Sequence, residues 1–347
     1  MSRRSASLPA AMLAALVILG LAAAPALACG GLIGPNGAVN LLRTTTLAAY
    51  HDGEEHYVTA FQFAGGGGAF GSLTPLPGVP TSVEKGGDWT LQRLIRETDP
   101  LPVADAFRLE AAAGSAQVLM EVRIDALDIT VLRGGADEVG RWAKDHGFRL
   151  PPDSPEVLEF YARRSPIFLA AVFDADAALE RGQSIGDGTP VHVTIPTDNP
   201  WVPLRILALG KTGTERVEAD VYLLTDRSPA LLPAPTGANG LDLQHSAPAG
   251  EPLLADLRSD RGMEWVPDEA WLSKVRVDAS AGELGFDLAI DASGAGAPSR
   301  AAAGLTFGEP GAVVSDAVRL AIGLGFVIVG VGGLLLLVRW RPAPLAS

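Results

Sequence analysis

The feature that most constrains this chain is an uninterrupted apolar stretch near its C-terminus, Leu320 to Val338 (LAIGLGFVIVGVGGLLLLV). At about 1.5 Å per residue this stretch makes a helix of about 28 Å, close to the hydrocarbon thickness of a bilayer. A single segment in lipid satisfies its backbone hydrogen bonds only as a helix. Arg339 and Arg341 follow directly, and positive charge beside a span stays in the cytoplasm. The sequence therefore predicts a transmembrane helix at 320–338 that contacts membrane lipid, with a short cytoplasmic tail at 339–347.

The N-terminus predicts export of everything before that helix. Two arginines precede an apolar segment, and Ala26-Leu27-Ala28 has the small-x-small pattern of a signal peptidase site. We expect a signal peptide at 1–28 that is cleaved between Ala28 and Cys29. An uncleaved signal anchor is the alternative. The predicted protein is a single-pass protein of the cell membrane with an extracytoplasmic N-terminus.

Cys29 is the only cysteine of the chain, so an intramolecular disulfide is excluded. A cysteine at the first mature position also raises the alternative of a lipid-modified N-terminus. Such sites usually carry a larger aliphatic residue three positions earlier, where this chain has Ala26. A second anchor is not required beside a membrane helix. We therefore interpret Cys29 as a free thiol.

The region between the two apolar termini is strongly acidic. Residues 29–318 contain all 40 acidic residues and 22 of the 27 basic ones, a net charge of −18. Such a surface repels nucleic acid and anionic lipid headgroups. Nucleic acid is therefore excluded as a partner.

Strand patterns dominate this region. Asp52-Gly53 predicts a type I′ hairpin in which His51 pairs with Glu54 and His56 lies opposite Ala49. We interpret the alternation as placing the two histidines on opposite faces. Alternating or continuous apolar runs predict further strands at 69–76, 118–132, 167–173, 191–196, 202–209, 217–224, 275–278 and 284–290, the last two as a pair.

A few short helices interrupt the strands. Asp88 is the predicted N-cap of a helix to about Glu97, and a second helix ends at His146 before a left-handed Gly147. Further helices are predicted from Ser154 to before Pro166 and at 268–274. The sequence thus predicts an α+β class: a β-rich extracytoplasmic domain at 29–291 with a loop or subdomain joint at 227–252, a flexible stalk at 292–319 and the C-terminal membrane helix.

No catalytic, cofactor-binding or metal-binding residue is predicted. The densest polar cluster, His51 to His56, is interpreted as a solvated turn rather than a metal site. His192 alternates with two valines, which predicts that it lies on the exposed face of its strand. Five tryptophans beside apolar residues indicate core packing, with a sugar- or peptide-binding platform as the alternative: Trp89, Trp142, Trp201, Trp265 and Trp271.

Several motifs resemble a bacterial family, the domain of unknown function 2330. They are Cys29-Gly30-Gly31, a strand closing in Pro75-x-Pro77, a tryptophan helix ending in His146-Gly147, Tyr161-Ala162-Arg163-Arg164 and Trp201-Val202-Pro203-Leu204. The resemblance covers about Cys29 to Leu224. It implies a secreted, often membrane-tethered bacterial protein without an established activity. Many members carry a second cysteine shortly after the first, whereas this chain has Ile33-Gly34 there.

The function expected from these observations is non-enzymatic: a tethered binding or structural module that contacts another envelope protein. The alternative is an envelope hydrolase whose catalytic residues converge only in three dimensions. A third alternative is assembly through the membrane helix, whose glycines allow close helix contact.

Overall fold

The computed structural model describes residues 31–35, 37–38, 44–61, 70–99, 118–124, 127–173 and 189–305, all within a unit that ends at Leu305. Within those ranges no helix combines the length and the apolar character that a membrane span needs. The predicted signal peptide with its Ala28–Cys29 cleavage site, the predicted helix Leu320–Val338, and Arg339 and Arg341 all lie outside the described residues.

Strands make up most of the regular structure, with short helices between them. The strands are β1 (Gly31–Gly34), β2 (Gly37–Ala38), β3 (Thr44–His51), β4 (Glu54–Phe61), β5 (Phe70–Pro75), β6 (Ser82–Lys85), β7 (Val118–Ile124), β8 (Leu127–Arg133), β9 (Ile167–Phe173), β10 (Thr189–Pro196), β11 (Trp201–Val202), β12 (Arg216–Thr225), β13 (Ala230–Leu232), β14 (Leu241–Pro248), β15 (Trp271–Ser280) and β16 (Leu288–Asp291). The α-helices are α1 (Thr90–Thr98), α2 (Ala136–Asp145), α3 (Ser154–Ala162) and α4 (Glu251–Ser259). The predicted β-rich α+β class is confirmed for this part of the chain.

The strands form three sheets. A seven-stranded sheet has the order β14-β15-β12-β3-β4-β10-β6, in which only the β12–β3 pair is parallel. A six-stranded antiparallel sheet has the order β2-β1-β5-β9-β8-β7, and a small third sheet has the order β11-β16-β13. The predicted strand at 167–173 is confirmed as β9, and every residue of it is buried. Its continuous apolar sequence follows from that burial on both faces.

The two faces of the seven-stranded sheet contact different cores. On one face Tyr57 and Val193 pack into the larger core, which includes β9 and buried residues of α2 and α3. On the other face Leu47, Val58 and Tyr222 pack against leucines of α1 and α4. The alternation of side chains along each strand distributes the apolar residues between the two cores.

The predicted hairpin between β3 and β4 is confirmed. Asp52 and Gly53 both have positive φ, 50° and 83°, as a type I′ turn requires. The register is also as predicted, because His51 pairs with Glu54.

The predicted positions of the two histidines on opposite faces were wrong. Ala49 pairs directly with His56, and His51 follows Ala49 by two residues. Directly paired residues and residues two apart along a strand share a face. His51 and His56 therefore lie on the same face, the one that carries the smaller core.

Two predicted helices, α2 and α3, are confirmed. Gly147 follows α2 with φ of 76°, the left-handed conformation that glycine adopts without strain. The Nδ1 atom of His146 lies 2.7 Å from the carbonyl oxygen of Trp142, so this side chain closes the helix end.

The N-terminus of α1 differs from the prediction. The helix begins at Thr90, and Asp88 does not cap it. The carboxylate of Asp260 accepts hydrogen bonds from the backbone nitrogens of Asp88 (3.1 Å) and Trp89 (3.0 Å) and from the Thr90 hydroxyl (2.8 Å). A residue about 170 positions away in sequence therefore fastens the segment that leads into the helix, and no local pattern indicates it.

Several predictions for the C-terminal half were wrong. After Trp201–Val202 the chain leaves the sheet in a 3₁₀ turn, Arg205–Ala208, rather than continuing as a strand. The predicted loop at 227–252 contains β13 and β14, which alternate poorly because β14 is largely exposed. The predicted helix at 268–274 is absent: residues 268–270 belong to a loop, and 271–274 begin β15, which lies between β12 and β14. The strand predicted at 284–290 as the partner of 275–278 corresponds to β16. It pairs with β11 and β13 and not with β15.

The first part of the predicted flexible stalk is folded against the domain. Ala302 and Ala303 are buried, and the Asp287 nitrogen donates to the Ala303 carbonyl oxygen at 3.0 Å. The small side chains that suggested flexibility permit this close packing. Residues 306–319 lie outside the described residues.

Candidate functional site

Two buried polar clusters stand out, and the first surrounds Asp287, which is fully buried between a 3₁₀ turn (Ala281–Glu283) and β16. Its Oδ1 atom accepts hydrogen bonds from the Tyr161 hydroxyl (2.9 Å) and from the backbone nitrogens of Leu204 (2.7 Å) and Arg205 (3.0 Å). Its Oδ2 atom accepts from the guanidinium of Arg164. The carboxylate is thus satisfied entirely by the protein.

The Arg164 side chain in this cluster lies among aromatic rings. Its guanidinium carbon is 4.2 Å from the ring centroid of Phe160, 4.7 Å from Trp201 and 5.1 Å from Tyr161. It also donates to the Ala302 carbonyl oxygen. Stacking on aromatic faces together with a carboxylate bond holds a guanidinium in one geometry.

Tyr161 connects the Asp287 cluster to the chain after β11. Its hydroxyl donates to Asp287 and accepts from the backbone nitrogen of Ile206 at 2.8 Å. Burial and the adjacent Asp287 carboxylate hold the pKa of Tyr161 well above its usual value. The phenol therefore stays protonated as a donor, and the cluster fastens α3, the 205–208 turn and β16 together.

The second cluster is a pair of histidines on adjacent strands, on the same face of the seven-stranded sheet. The Nδ1 atom of His56 lies 3.0 Å from the Nε2 atom of His192. The ring planes are 21° apart and the centroids 5.2 Å apart, so each nitrogen faces the other nearly in line. This is the arrangement of an imidazole–imidazole hydrogen bond. His192 is only 4 % exposed, so its predicted position on an exposed face was wrong.

The indole ring of Trp265 covers the two imidazoles. It stacks on His56 with centroids 4.0 Å apart and planes 6° apart, and its centroid lies 5.1 Å from that of His192. We name these three residues, His56, His192 and Trp265, the stacked imidazole pair. The two imidazoles lie beneath the loop between α4 and β15. This loop explains why His192 is buried although β10 lies near an edge of the sheet.

The bonding pattern assigns the proton positions in the stacked imidazole pair. Nδ1 of His192 is buried and has no hydrogen-bond partner among the described residues. A buried N–H without an acceptor is less favourable than a bare nitrogen, so His192 carries its proton on Nε2 and donates it to Nδ1 of His56. His56 then carries its own proton on Nε2.

Burial sets the charge state of the stacked imidazole pair. It lowers the pKa of His56 to about 4, with a smaller contribution from His51. It lowers the pKa of His192 to about 3, with a smaller contribution from His56. Both rings are therefore neutral at pH 7.

The geometry of the stacked imidazole pair does not fit a metal centre. Two imidazole ligands of one ion turn their nitrogens toward a common third point, whereas these nitrogens face each other. A metal-bound ring also donates its second N–H to an acceptor, which Nδ1 of His192 lacks among the described residues. No group of three or more His, Cys, Asp or Glu residues in the described ranges is arranged to hold a metal.

Glu55 is a further buried titratable group that the sequence did not indicate. It points into the larger core from β4, fully buried, and burial raises its pKa to about 8. One oxygen accepts from the Trp201 nitrogen at 3.3 Å, and the other has no partner in the described part of the chain. Glu55 is therefore protonated at neutral pH. Its position in the polar run His51 to His56 concealed it, because every residue of that run suggested solvent.

An open groove of about 590 Å³ lies beside β14 and α4. Four carboxylates line it together with Arg258 and Trp271: Asp226, Glu251, Asp268 and Glu269. Asp226 also lies 2.6 Å from Nδ1 of His51. The negative charge of this groove agrees with the acidic composition of the domain.

Comparisons with known proteins identify a family. The family described as "Uncharacterized protein conserved in bacteria (DUF2330)" matches residues 23–234, more than half of the chain. No curated protein matches the sequence.

Solved structures of a baculovirus protein show distant similarity to the chain. The crystal structure of baculovirus P35 is 12% identical over 73% of this chain and 96% of that chain, with a TM-score of 0.38. A mutated baculovirus P35 after caspase cleavage is 10% identical over 73% and 98%, also with a TM-score of 0.38. Similarity at this level carries no argument about function.

Proposed function

The chain belongs to the DUF2330 family of bacterial proteins, and we propose that it is a membrane-tethered extracytoplasmic module that binds or supports another component of the cell envelope. In this proposal the folded domain presents its surface to a partner, and the predicted helix at 320–338 holds it at the membrane.

The non-enzymatic part of the proposal rests on the structural role of the residues in the family motifs. Tyr161 and Arg164 of one motif and Trp201 and Leu204 of another meet around Asp287. The polar groups of these residues that contact the Asp287 carboxylate all form hydrogen bonds that hold elements of the fold together. The residues by which the chain resembles its family therefore support a particular fold.

The other motifs with described residues have similar structural roles. Trp142 is fully buried in α2, and Gly147 adopts a left-handed conformation that ends the helix. Pro75 is the last residue of β5, where a missing N–H is tolerated. A scaffold that leaves its surface free for contacts suits a binding or structural module.

The sequence supports the proposed location. The predicted signal peptide, the predicted cleavage site after Ala28 and the apolar segment followed by Arg339 and Arg341 are consistent with one topology. The net negative charge favours a neutral or basic partner over anionic lipid headgroups.

The test combines topology with partner identification in native membranes. Protease added to cells with a permeabilised outer barrier is expected to degrade the domain, and a salt wash is expected to leave it bound. Truncation after Leu305 serves as the matched control and is expected to release the domain. Protection from protease or release of the full chain by salt would contradict the proposal.

Chemical crosslinking then addresses the partner. The full chain is expected to form a discrete crosslinked complex with one envelope protein, and the truncated form to form less because it is no longer held near the membrane. Turnover of envelope glycans or peptides by the purified full chain, lost on replacing His56, would instead favour the hydrolase alternative.

A further inference from the structure

We propose that the stacked imidazole pair is an acid-sensitive latch, which fastens Trp265 in the loop of residues 260–270 to the seven-stranded sheet, and which releases the indole and loosens the loop when an imidazole is protonated. The proposal concerns a regulatory device of the fold and does not depend on the proposed partner.

The loop is held at separate points along its length, and one of them is the contact with the imidazoles. At its start Asp260 accepts a hydrogen bond from the Trp89 nitrogen, directly before α1. In its middle Trp265 stacks on the imidazoles, and near its end the Pro267 carbonyl oxygen accepts from Arg258 of α4 at 2.7 Å. Loss of the imidazole contact therefore frees the indole of Trp265 and loosens the middle of the loop, which Met263 and Val266 still attach to the smaller core.

Protonation of His56 breaks the latch for a geometric reason. The only free lone pair of neutral His56 is on Nδ1, which accepts the hydrogen bond from His192. A proton added there places two N–H groups 3.0 Å apart and facing each other. The bond survives only if His192 moves its proton to Nδ1, which is buried without a partner among the described residues. Either arrangement leaves a buried charge with an unsatisfied N–H group, so protonation disfavours the closed state.

Protonation of His192 has a similar consequence. Its free lone pair is on Nδ1, which is buried without a partner among the described residues. A proton there creates a charged, unpaired donor inside the domain. Both routes favour an open state in which the imidazoles reach solvent.

The charged groups around the stacked imidazole pair do not compensate such a proton. On β3 His51 faces the same side and pairs with Asp226, and on β6 the exposed Glu84 lies opposite His192. No carboxylate in the described ranges lies within ion-pair distance of His56 or His192. The same elements also carry Glu54 on β4, Lys85 on β6, Arg93 on α1, Arg258 on α4 and, in the loop, Asp260, Arg261, Glu264, Asp268 and Glu269. The lysine and the arginines among them are paired with carboxylates.

The experiment is a pH titration of tryptophan fluorescence on the purified full chain. The signal of Trp265 is taken as the difference between wild type and Trp265→Phe. We expect a reversible red shift with a midpoint near pH 4, while far-UV circular dichroism remains unchanged. His56→Gln is expected to move the midpoint toward pH 3, because only the His192 route remains. His146→Gln, which alters a histidine whose ring lies 4.8 Å from that of Trp142, is expected to leave the midpoint unchanged.

Other results would overturn the latch. One is a midpoint in His56→Gln that equals that of wild type. The others are that wild type shows no red shift down to about pH 3, or that its red shift coincides with loss of secondary structure. If His56→Gln does not fold at pH 7, wild type alone decides by hydrogen exchange. After correction for intrinsic rates, backbone amides of 262–267 are then expected to exchange at least tenfold faster at pH 4 than at pH 7. Amides of β12 are expected to show no such change. Equal protection of the loop at both pH values would refute the proposal.

Discussion

The Asp287 cluster and the stacked imidazole pair are both buried, but they differ in how their polar atoms are satisfied. Asp287 accepts four hydrogen bonds and neutralises Arg164, so its charge is matched inside the protein. The imidazoles form one bond with each other and leave Nδ1 of His192 without a described partner. A fully bonded cluster stabilises one conformation, whereas an incompletely bonded one makes stability depend on pH.

The largest expected effect is on the fully bonded cluster. Asp287→Ala removes the carboxylate that neutralises the guanidinium of Arg164 and leaves the donors of Tyr161 and Leu204 buried without their acceptor. We expect the free energy of unfolding to fall by about 3–5 kcal/mol. Urea denaturation measures this loss. Asp278→Ala, which removes an exposed pair with Arg216, is the control and is expected to change little. A loss of similar size in both variants would contradict the central role of Asp287.

A second effect extends the comparison to Glu55, which shares the incomplete bonding of the imidazoles. Its folded-state pKa is raised from 4.5 to about 8, so the folded protein binds more protons than the unfolded chain between these values. Its stabilising contribution is complete below pH 4.5 and falls as the pH rises to 8. The slope is about 1.4 kcal/mol per pH unit.

Glu55→Gln removes this pH dependence. We expect the variant to be more stable than wild type by about 3 kcal/mol at pH 7 and similar to it at pH 4.5. Chemical denaturation at several pH values measures the difference, and Glu54→Gln at the adjacent, partly exposed position is the control. An unchanged slope in Glu55→Gln would show that Glu55 is ionised in the folded state.

The third effect has the opposite sign. The pKa of His192 is lowered in the folded state, so the unfolded chain binds more protons as the pH falls below 6.5. The stabilising contribution is present above pH 6.5 and is lost on acidification. Between pH 6.5 and 5 this loss amounts to about 2 kcal/mol.

His192→Gln tests this dependence. We expect a smaller decrease in the free energy of unfolding between pH 7 and 5 than in wild type, and the partly exposed His245→Gln serves as the control. Equal decreases in wild type and His192→Gln would mean that His192 remains accessible to protons in the folded state.

The smallest effect concerns the loop that carries Trp265. Asp260→Ala removes the acceptor for the backbone N–H groups of Asp88 and Trp89, directly before α1, and for the Thr90 hydroxyl. The variant is expected to lower the free energy of unfolding by about 1–2 kcal/mol. Asp88→Ala is expected to have little effect, because Asp88 does not cap the helix. Thermal unfolding measures the stability of the two variants. A larger loss of stability in Asp88→Ala would show that Asp88 caps the helix, as predicted from the sequence.

The sequence predicts local features well and distant contacts poorly. The β3–β4 turn at Asp52-Gly53 and the end of α2 at Gly147 follow from backbone preferences of a few adjacent residues. Asp260 and Asp287 exert their effects on residues far away in sequence, and no pattern of spacing indicates which acids become buried.

The polar run from His51 to His56 shows a further difficulty. The alternation of side chains places these residues on the two faces of the sheet. It does not show that other elements cover both faces. Glu55 enters one core and His56 meets Trp265, so both residues become buried where the sequence suggested solvent. The coverage comes from residues near 200 and 265, which one short stretch of sequence cannot indicate.

The strand order has a consequence for how the domain is divided in experiments. β12 lies between β3 and β15, and β15 belongs to residues 271–280, beyond the 23–234 that define the family. A fragment that stops at residue 234 would expose the full length of β12 and leave Arg164 without its carboxylate. The family boundary is therefore not the boundary of autonomous folding, and expression of the domain requires the chain to continue through Leu305.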